Sequence, residues 1–219
     1  MIHILYSDGS IAVCVKPSGV LSEGQAPDAL PLLLERQLES PVYPVHRLDR
    51  ETEGLMVYAL SASAAASLSR QIAAGELKKE YLAVICGAPG EETGSMTDLL
   101  FYDRRVGKSF VTDRPRKGVK EARLDYICLA KKDSHSLVLV RLHTGRTHQI
   151  RVQFASRGLP LIGDRRYGAP AEGLPMALFS HSLSFSHPKT GEPLCFRLTP
   201  TPAEGSAWAE FRELLPSVR

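Results

Sequence analysis

The residues best suited to acid–base or nucleophilic chemistry lie in one short segment. Asp49 stands close to two arginines, Arg47 and Arg50, within P-V-H-R-L-D-R-E-T-E-G-L-M-V-Y-A (residues 44–59). Guanidinium groups beside a carboxylate favour its ionised form, which a nucleophile or a general base requires. An isolated Asp-Arg pair more often only satisfies surface arginines, so the chemistry of Asp49 has to be judged from the whole segment.

The sequence on either side predicts a loop at the mouth of a strand. Pro41 and Pro44 stiffen the approach to Asp49, and Gly54 marks the change from the polar loop to the apolar run 55–60. We therefore expect Asp49 on a short loop directly before a strand.

The segment H-R-L-D-R-E-T-E-G-L (46–55) closely resembles the catalytic motif of the RluA family of RNA pseudouridine synthases, H-R-L-D-x-x-T-S-G. Three further blocks resemble the family and keep its order along the chain, and the resemblance as a whole extends over roughly residues 4–198. They are D-G-S-I-A-V-C-V-K-P-S-G-V-L-S (8–22), K-E-Y-L-A (79–83) and R-L-H-T-G-R-T-H-Q-I-R-V-Q-F-A-S-R-G-L-P-L-I-G-D-R-R-Y-G (141–168).

The resemblance implies an isomerase that converts uridine to pseudouridine in a structured tRNA or rRNA. The reaction breaks the N1–C1′ bond, turns the base over and rejoins it through C5, so it needs a carboxylate near C1′ or C2′, as in glycoside cleavage. The target base has to be flipped out of the RNA stack. No metal or other cofactor is expected.

The same resemblance implies roles for individual residues. Asp49 matches the catalytic carboxylate, which either attacks C1′ or removes the proton at C2′. Tyr81 matches the tyrosine that stacks on the target base, and Arg151 matches the arginine paired with the catalytic aspartate. Five further residues are expected to contact RNA, the first by filling the stack that the base has left: Arg47, Lys79, Arg146, His148 and Arg165.

One position departs from the family pattern. The family's T-S-G is Thr52-Glu53-Gly54 here, and T-E-G-L is more typical of a sister branch with Gly before R-L-D. His46 and the block T-G-R-T-H-Q-I-R both favour the RluA side. Glu53 therefore leaves the branch and the RNA target open, but not the reaction.

Two other functions are also considered. A catalytically silent RNA-binding module of the same fold would not need Asp49, Tyr81 and Arg151 intact. A hydrolase of an N-glycosidic bond would also use one carboxylate, but it would release free uracil. His143 and His148 do not indicate a metal site, because no third ligand stands at a recognisable spacing.

Charge is more informative in its distribution than in its sum, since the formal net charge is only +3. Residues 104–123 hold eight Lys or Arg against two acids, and residues 141–167 hold six Arg against Asp164 alone. Clustered positive charge is typical of a surface that binds a phosphate backbone.

Other features indicate a cytoplasmic protein that is expected to be a monomer and to have no membrane partner. No apolar run approaches the roughly 20 residues that cross a bilayer, and no signal peptide is recognised at Met1–Tyr6. The cysteines lack a C-x-x-C pair and are expected to be reduced core thiols: Cys14, Cys86, Cys128 and Cys195.

Short apolar runs joined by tight turns, with few helices, predict an α+β fold with a mixed, largely antiparallel sheet. The resemblance implies the same fold as a single catalytic domain over residues 1–219, with flanking helices, a central RNA-binding cleft and no separate N-terminal RNA-binding module. Residues 89–119 are expected to form an inserted basic hairpin or a loop. Helices are expected at 28–38, 61–74, 147–157 and 207–215.

Overall fold

The computed structural model describes residues 1–168 and 173–215. In chain order its helices and strands are β1 (Ile4–Ser7), β2 (Ile11–Lys16), α1 (Leu30–Leu38), β3 (Tyr43–Pro44), β4 (Glu53–Ala59), α2 (Ala62–Ala73), β5 (Lys78–Cys86), β6 (Thr93–Asp103), β7 (Lys108–Thr112), β8 (Val119–Lys132), β9 (His135–Leu142), α3 (Gln149–Ala155), β10 (Leu178–Ser186), β11 (Pro193–Arg197) and a 3₁₀ helix (Ala207–Phe211).

The chain divides into two compact units. Unit 1 comprises Met1–Lys79 and Phe179–Leu198, and unit 2 comprises Glu80–Leu178 and Thr199–Arg219. The strands are mainly antiparallel, and the predicted α+β class with a mixed, largely antiparallel sheet is confirmed. Within the described residues, no helix combines the length and apolar character that crossing a bilayer requires.

Unit 1 is built around β4, which lies between β2 and β10. β2 pairs with β4 in antiparallel register from Ile11 opposite Ala59 to Lys16 opposite Gly54. β10 pairs with the start of β4 in parallel register, Ser180 opposite Gly54. Helix α2 covers one face with Leu68, because the apolar positions of this helix recur at helical spacing.

Gly54 allows the close approach of β10 at the point where the Asp49 loop becomes a strand. Its φ of 110° lies in a region that side chains with a Cβ rarely adopt. A Cβ at this position would also stand 2.7 Å from the backbone nitrogen of Ser180. The glycine that marks the end of the loop in the sequence is therefore required by the packing of two backbones.

Unit 2 is an antiparallel sheet in the order β5-β9-β8-β6-β7. Of the two forms expected for residues 89–119, the structure has the hairpin, with Phe101 of β6 opposite Phe110 of β7. Helix α3 packs against this hairpin, where Val152 joins Leu100 and Ala122 in a small apolar cluster beside Tyr167.

The predicted helices are present, but their ends need correction. Ser61 caps α2, accepting a hydrogen bond from the Ala64 N–H at 3.2 Å. Asp28 does not cap α1, whose N-cap is Ala29 without a side-chain hydrogen bond. The closing segment 207–215 is regular only as a short 3₁₀ helix over Ala207–Phe211.

The helix expected at 147–157 is shorter, because His148 adopts a left-handed backbone with φ 55° and becomes the N-cap of α3.

The cysteines are free thiols, as expected, but they are not all in the core. Cys14 is fully buried, and burial raises its thiol pKa to about 12. Cys195 is exposed and Cys86 and Cys128 are half-buried. The error at Cys195 arises because β11 alternates half-buried and exposed residues, a pattern that its apolar neighbours in sequence conceal.

Candidate active site

Asp49 lies in a tight turn directly before β4. The Thr52 N–H donates to the carbonyl oxygen of Asp49 at 3.1 Å, which closes a four-residue turn over 49–52. Leu48 on one side and Thr52 on the other are buried, whereas Asp49 itself is half-buried. The turn thus presents the carboxylate from a loop that is anchored at both ends.

The K-P-S-G segment (16–19) of the first sequence block is hydrogen-bonded to this turn. Lys16 is fully buried at the end of β2, and its Nζ donates to the carbonyl oxygens of Pro17 and Arg50, each at 2.8 Å. Gly19 and Arg50 exchange two further bonds, from Gly19 N to Arg50 O at 2.9 Å and from Arg50 Nε to Gly19 O at 2.8 Å. The chain around Asp49 is therefore hydrogen-bonded to the block that precedes it.

A second set of hydrogen bonds holds the backbone of Leu48, one residue before Asp49. The Ser22 hydroxyl donates to the carbonyl of Leu48 at 2.8 Å and lies 3.2 Å from its N–H. The buried hydroxyl of Tyr58 on β4 donates to the Ser22 carbonyl at 2.7 Å. The backbone is therefore held by hydrogen bonds on both sides of Asp49, at Leu48 by Ser22 and at Arg50 by Lys16.

The buried Lys16 ammonium also shapes the electrostatics of the turn. Burial lowers its pKa to about 8, although the carboxylates of Glu53, Glu51 and Asp49 act in the opposite direction. Glu53, the residue that departs from the family motif, thus adds negative charge beside Lys16.

The two arginines next to Asp49 in sequence have other partners. Arg47 forms an ion pair with Glu23 at 2.9 Å, with both side chains about half exposed. Arg50 folds back onto Gly19, as described above. Each arginine next to Asp49 in sequence is thus bonded to the segment 19–23, through Glu23 or Gly19.

His46 supports the loop from the core. Its Nε2 accepts the N–H of Val57 at 3.1 Å. Burial, reinforced by the positive charge of Lys79, lowers the His46 pKa to about 3, so the ring is neutral near pH 7.

In unit 2, Arg151 is held by Asp164 through two parallel bonds. Nε donates to Oδ2 at 2.7 Å and Nη2 donates to Oδ1 at 2.9 Å. Both side chains are almost fully buried, at 4% and 0% exposure. Such a bidentate pair fixes the guanidinium plane as well as its position.

Tyr167 also lies against Arg151. The guanidinium carbon of Arg151 lies 5.3 Å from the centre of the Tyr167 ring. The Tyr167 hydroxyl lies 2.8 Å from Ser109 N, 3.2 Å from Ser109 O and 3.0 Å from Nδ1 of His148. Burial raises the Tyr167 pKa to about 12, so the hydroxyl keeps its proton.

Tyr81 lies on β5 opposite Val140 of β9 and is 4% exposed. A tyrosine this buried is held in one orientation by its neighbours, which suits a fixed stacking surface as well as a core residue. Its neighbour Glu80 binds Arg141 across the same strand pair at 2.6 Å.

The residues expected to contact RNA differ in exposure. Arg47 and Arg165 are exposed, whereas Lys79, Arg146 and His148 are half-buried. Burial lowers the pKa of Lys79. Arg146 donates from Nε to the carbonyl of Glu121 at 2.8 Å, and His148 is bonded to Tyr167. These last two side chains therefore have structural partners in unit 2.

The hairpin of β6 and β7 carries a surface that the sequence blocks do not include. Arg104 and Arg105 are exposed at its tip beside Val106, which is 56% exposed. Exposed aromatic side chains, Tyr102 and Phe110, accompany them. Cations and aromatic rings on one hairpin are the combination that binds unpaired nucleotides.

Lys16, Asp164 and Tyr167 contact the Asp49 turn or Arg151, and the sequence reasoning did not assign them. All three belong to the quoted blocks, in K-P-S-G and G-D-R-R-Y-G. A lysine within an apolar strand, and a single acid among six arginines, were the signals that could have identified Lys16 and Asp164.

Comparison with known proteins identifies the family. The family model for RNA pseudouridylate synthase matches residues 10–156, more than half of the chain. The dual-specificity RNA pseudouridine synthase RluA of Yersinia pestis is 34% identical, with 89% of this chain and 97% of that protein covered. The ribosomal large subunit pseudouridine synthase D of Xanthomonas campestris is 34% identical, with 88% and 64% covered.

Among solved structures, human RNA pseudouridylate synthase domain containing 1 superposes with a TM-score of 0.77 at 26% identity, covering 92% of this chain and 84% of that one. The sequence blocks, the fold and these relatives agree on one family. The chain belongs to the RNA pseudouridylate synthases, isomerases that convert uridine to pseudouridine in RNA.

Proposed function

We propose that Asp49 is the catalytic carboxylate of this isomerase and that its substrate is a uridine in structured tRNA or rRNA. The observation that carries the assignment of Asp49 is its turn, which Lys16, Gly19 and Ser22 hold through hydrogen bonds to Arg50 and Leu48. A reacting group fixed in this way loses little freedom on reaching its transition state. A carboxylate that only satisfied surface arginines would not need such support.

Asp49 acts on the sugar, either by attack at C1′ or by removing the C2′ proton. Either step leads to cleavage of the N1–C1′ bond. The uracil then turns over, C5 bonds to C1′, the proton on C5 is lost and N1 gains a proton. Tyr81 stacks on the flipped base and keeps it oriented, for which its burial in β5 is suitable. Arg151 supplies positive charge close to the reaction, and atoms balance without a redox cofactor because reactant and product are isomers.

Arg47 takes the place of the flipped base in the RNA stack. Its ion pair with Glu23 is about half exposed, and exposed ion pairs contribute only about 0–1 kcal/mol. Breaking this pair to bind RNA therefore costs little free energy. Arg165 is exposed and suited to a phosphate contact. Lys79 and Arg146 contribute positive charge from half-buried positions. His148, which is bonded to the Tyr167 hydroxyl, contacts the RNA beside them.

The relatives indicate only the class of RNA that this enzyme modifies. One relative is named for dual specificity and another for the ribosomal large subunit, so both tRNA and rRNA are candidates for this chain. We propose that residues 1–219 act as a single catalytic domain, as a monomer in the cytoplasm. The surface of this domain, including the β6–β7 hairpin, then contributes to target choice.

The test is site-resolved mapping of pseudouridine. Purified protein and its Asp49→Asn variant are incubated with unmodified tRNA and rRNA transcripts in the presence of a chelator, and products are located by carbodiimide labelling and primer extension. We expect a stop at a defined uridine with the wild type and none with Asp49→Asn, while the RNA dissociation constants of the two proteins agree. Asp28→Asn, an exposed acid of unit 1, is the control and should retain activity.

Other outcomes identify the alternatives. Free uracil in the reaction would indicate an N-glycosidic hydrolase. RNA binding without any stop on transcripts or assembled ribosomal subunits would indicate a silent binding module. Substantial turnover by Asp49→Asn would contradict the role of Asp49.

A further inference from the structure

The segment G-D-R-R-Y-G (163–168) surrounds Arg151 on two sides. Asp164 binds the Nε–Nη2 edge of the guanidinium at 2.7 and 2.9 Å, and the Tyr167 ring lies against its face at 5.3 Å. The two residues belong to one turn, since Tyr167 N donates to the carbonyl of Asp164 at 3.1 Å. One turn therefore constrains both the plane and the edge of the arginine.

Gly163 lets this turn approach closely. Its φ is 75°, and a Cβ would stand 2.5 Å from the carbonyl carbon of Pro175. The glycine is therefore required for Asp164 to reach its buried position in the interior of unit 2.

Tyr167 is in turn fixed by the basic hairpin. Its hydroxyl lies 2.8 Å from the N–H of Ser109 on β7, and the Ser109 hydroxyl donates to the carbonyl of Thr147 at 2.6 Å. Thr147 directly precedes His148, the N-cap of α3. The hairpin, the turn and the helix of Arg151 are thus joined by hydrogen bonds within unit 2.

Stability alone does not explain a buried Arg–Asp pair. Exchange of such pairs for apolar residues of similar volume is often neutral or stabilising, because desolvation of two charges offsets their attraction. What the pair does supply is a fixed direction for the guanidinium.

We propose that Asp164 and Tyr167 are positioning residues that hold Arg151 in its reactive orientation. This inference rests on the proposed function, in which Arg151 acts close to the reacting uridine. Asp164 sets the orientation through its two bonds, and Tyr167 sets it through its ring and through the hydrogen bonds that tie it to Ser109.

The test is a double-mutant cycle on single-turnover rates with saturating protein. The variants are Arg151→Met, Asp164→Asn and the combination of the two. We expect Asp164→Asn to lower the rate about 100-fold, the cost of a misplacement of about 1 Å. In the Arg151→Met background the same change should have little further effect, because there is no guanidinium left to position.

Loss of folding is controlled by a second double variant. Asp164→Asn leaves a buried charge without its partner and should lower the melting temperature. Arg151→Met combined with Asp164→Leu removes both charges, so it should recover the melting temperature but not the activity. Stability and activity then separate, which a merely structural role would not allow.

Tyr167→Phe tests the second residue without disturbing the ring. It should lower the single-turnover rate severalfold with an unchanged RNA dissociation constant. Tyr126→Phe makes the same chemical change at a ring that packs on Phe154 and should leave the rate unchanged.

The outcomes distinguish a failure of this inference from a failure of the proposed function. An active wild type with a folded Asp164→Asn of normal rate, or with losses that multiply in the cycle, would overturn this inference and leave the proposed function intact. A wild type that forms no pseudouridine on any substrate would overturn the proposed function and this inference with it.

Discussion

The Nζ of Lys16 lies 2.8 Å from the carbonyl oxygen of Arg50, the residue that follows Asp49, and the Lys16 side chain is fully buried. An ammonium group in the core is costly unless its donors are used. Here its donors fix the turn that presents Asp49, the proposed catalytic carboxylate. Hydrogen bonds thus join the first and second sequence blocks, although Lys16 and Arg50 are 34 positions apart in the chain.

Lys16→Met should therefore impair catalysis more than binding. The substitution leaves the carbonyls of Pro17 and Arg50 without this donor and loosens the turn at 49–52. We expect the single-turnover rate to fall by up to about 100-fold, as for a reacting group misplaced by about 1 Å, with a nearly unchanged RNA dissociation constant. Lys189→Met, an exposed lysine of unit 1, is the control for charge. An equal loss of binding would indicate instead that the turn held by Lys16 contributes to RNA binding.

His46 should make the fold sensitive to acid. Its pKa is lowered from 6.5 to about 3 in the folded protein, so between these values the unfolded chain binds a proton that the folded protein does not. The free energy of unfolding therefore falls as the pH falls through this range. A protonated ring could also not accept the N–H of Val57.

The matched variant is His46→Gln, whose side-chain oxygen can still accept a hydrogen bond but does not titrate. Urea unfolding at pH 7 and pH 5 should show that the wild type loses more stability than the variant on acidification. If the two proteins lose the same amount, His46 is not the group responsible.

Much of this arrangement is predictable from sequence because it is local. The loop of Asp49 before a strand follows from a polar run between prolines and Gly54, and the cap of α2 follows from Ser61. Alternating apolar runs and Asp-Gly at the first turn give the antiparallel character of the sheet.

The parts that sequence reasoning missed depend on contacts between distant segments. The partners of Arg47 and Arg50 are set by how residues 17–23 fold over the turn, which no local pattern encodes. The left-handed backbone of His148 shortens α3 although the residues around it are compatible with a helix. From the sequence, Asp164 is interpreted as an acid on a basic surface. Only the fold shows that it is buried against Arg151.

Gly54→Ala should be strongly destabilising. The new Cβ would meet the backbone of Ser180, which cannot move aside as a flexible side chain could, and the φ of 110° would be strained as well. We expect a loss of roughly 2 kcal/mol or more in the free energy of unfolding, since strain of this kind alone costs about 1–3 kcal/mol. Gly9→Ala, where a Cβ meets nothing within 4 Å, is the matched control. Equal stability of the two variants in urea unfolding would contradict the close pairing of β4 and β10.

The tip of the β6–β7 hairpin should contribute to RNA affinity through charge. Arg104→Ala combined with Arg105→Ala removes two exposed cations. If both contact phosphates, the slope of log affinity against log salt concentration should become shallower by about 1.4 to 1.8, because each contact releases a counterion. Lys131→Ala combined with Lys132→Ala removes the same charge from another exposed turn of unit 2 and should leave the slope nearly unchanged. Equal slopes for both double variants would show that the hairpin does not touch RNA, and that its positive charge contributes only to the general field of the protein.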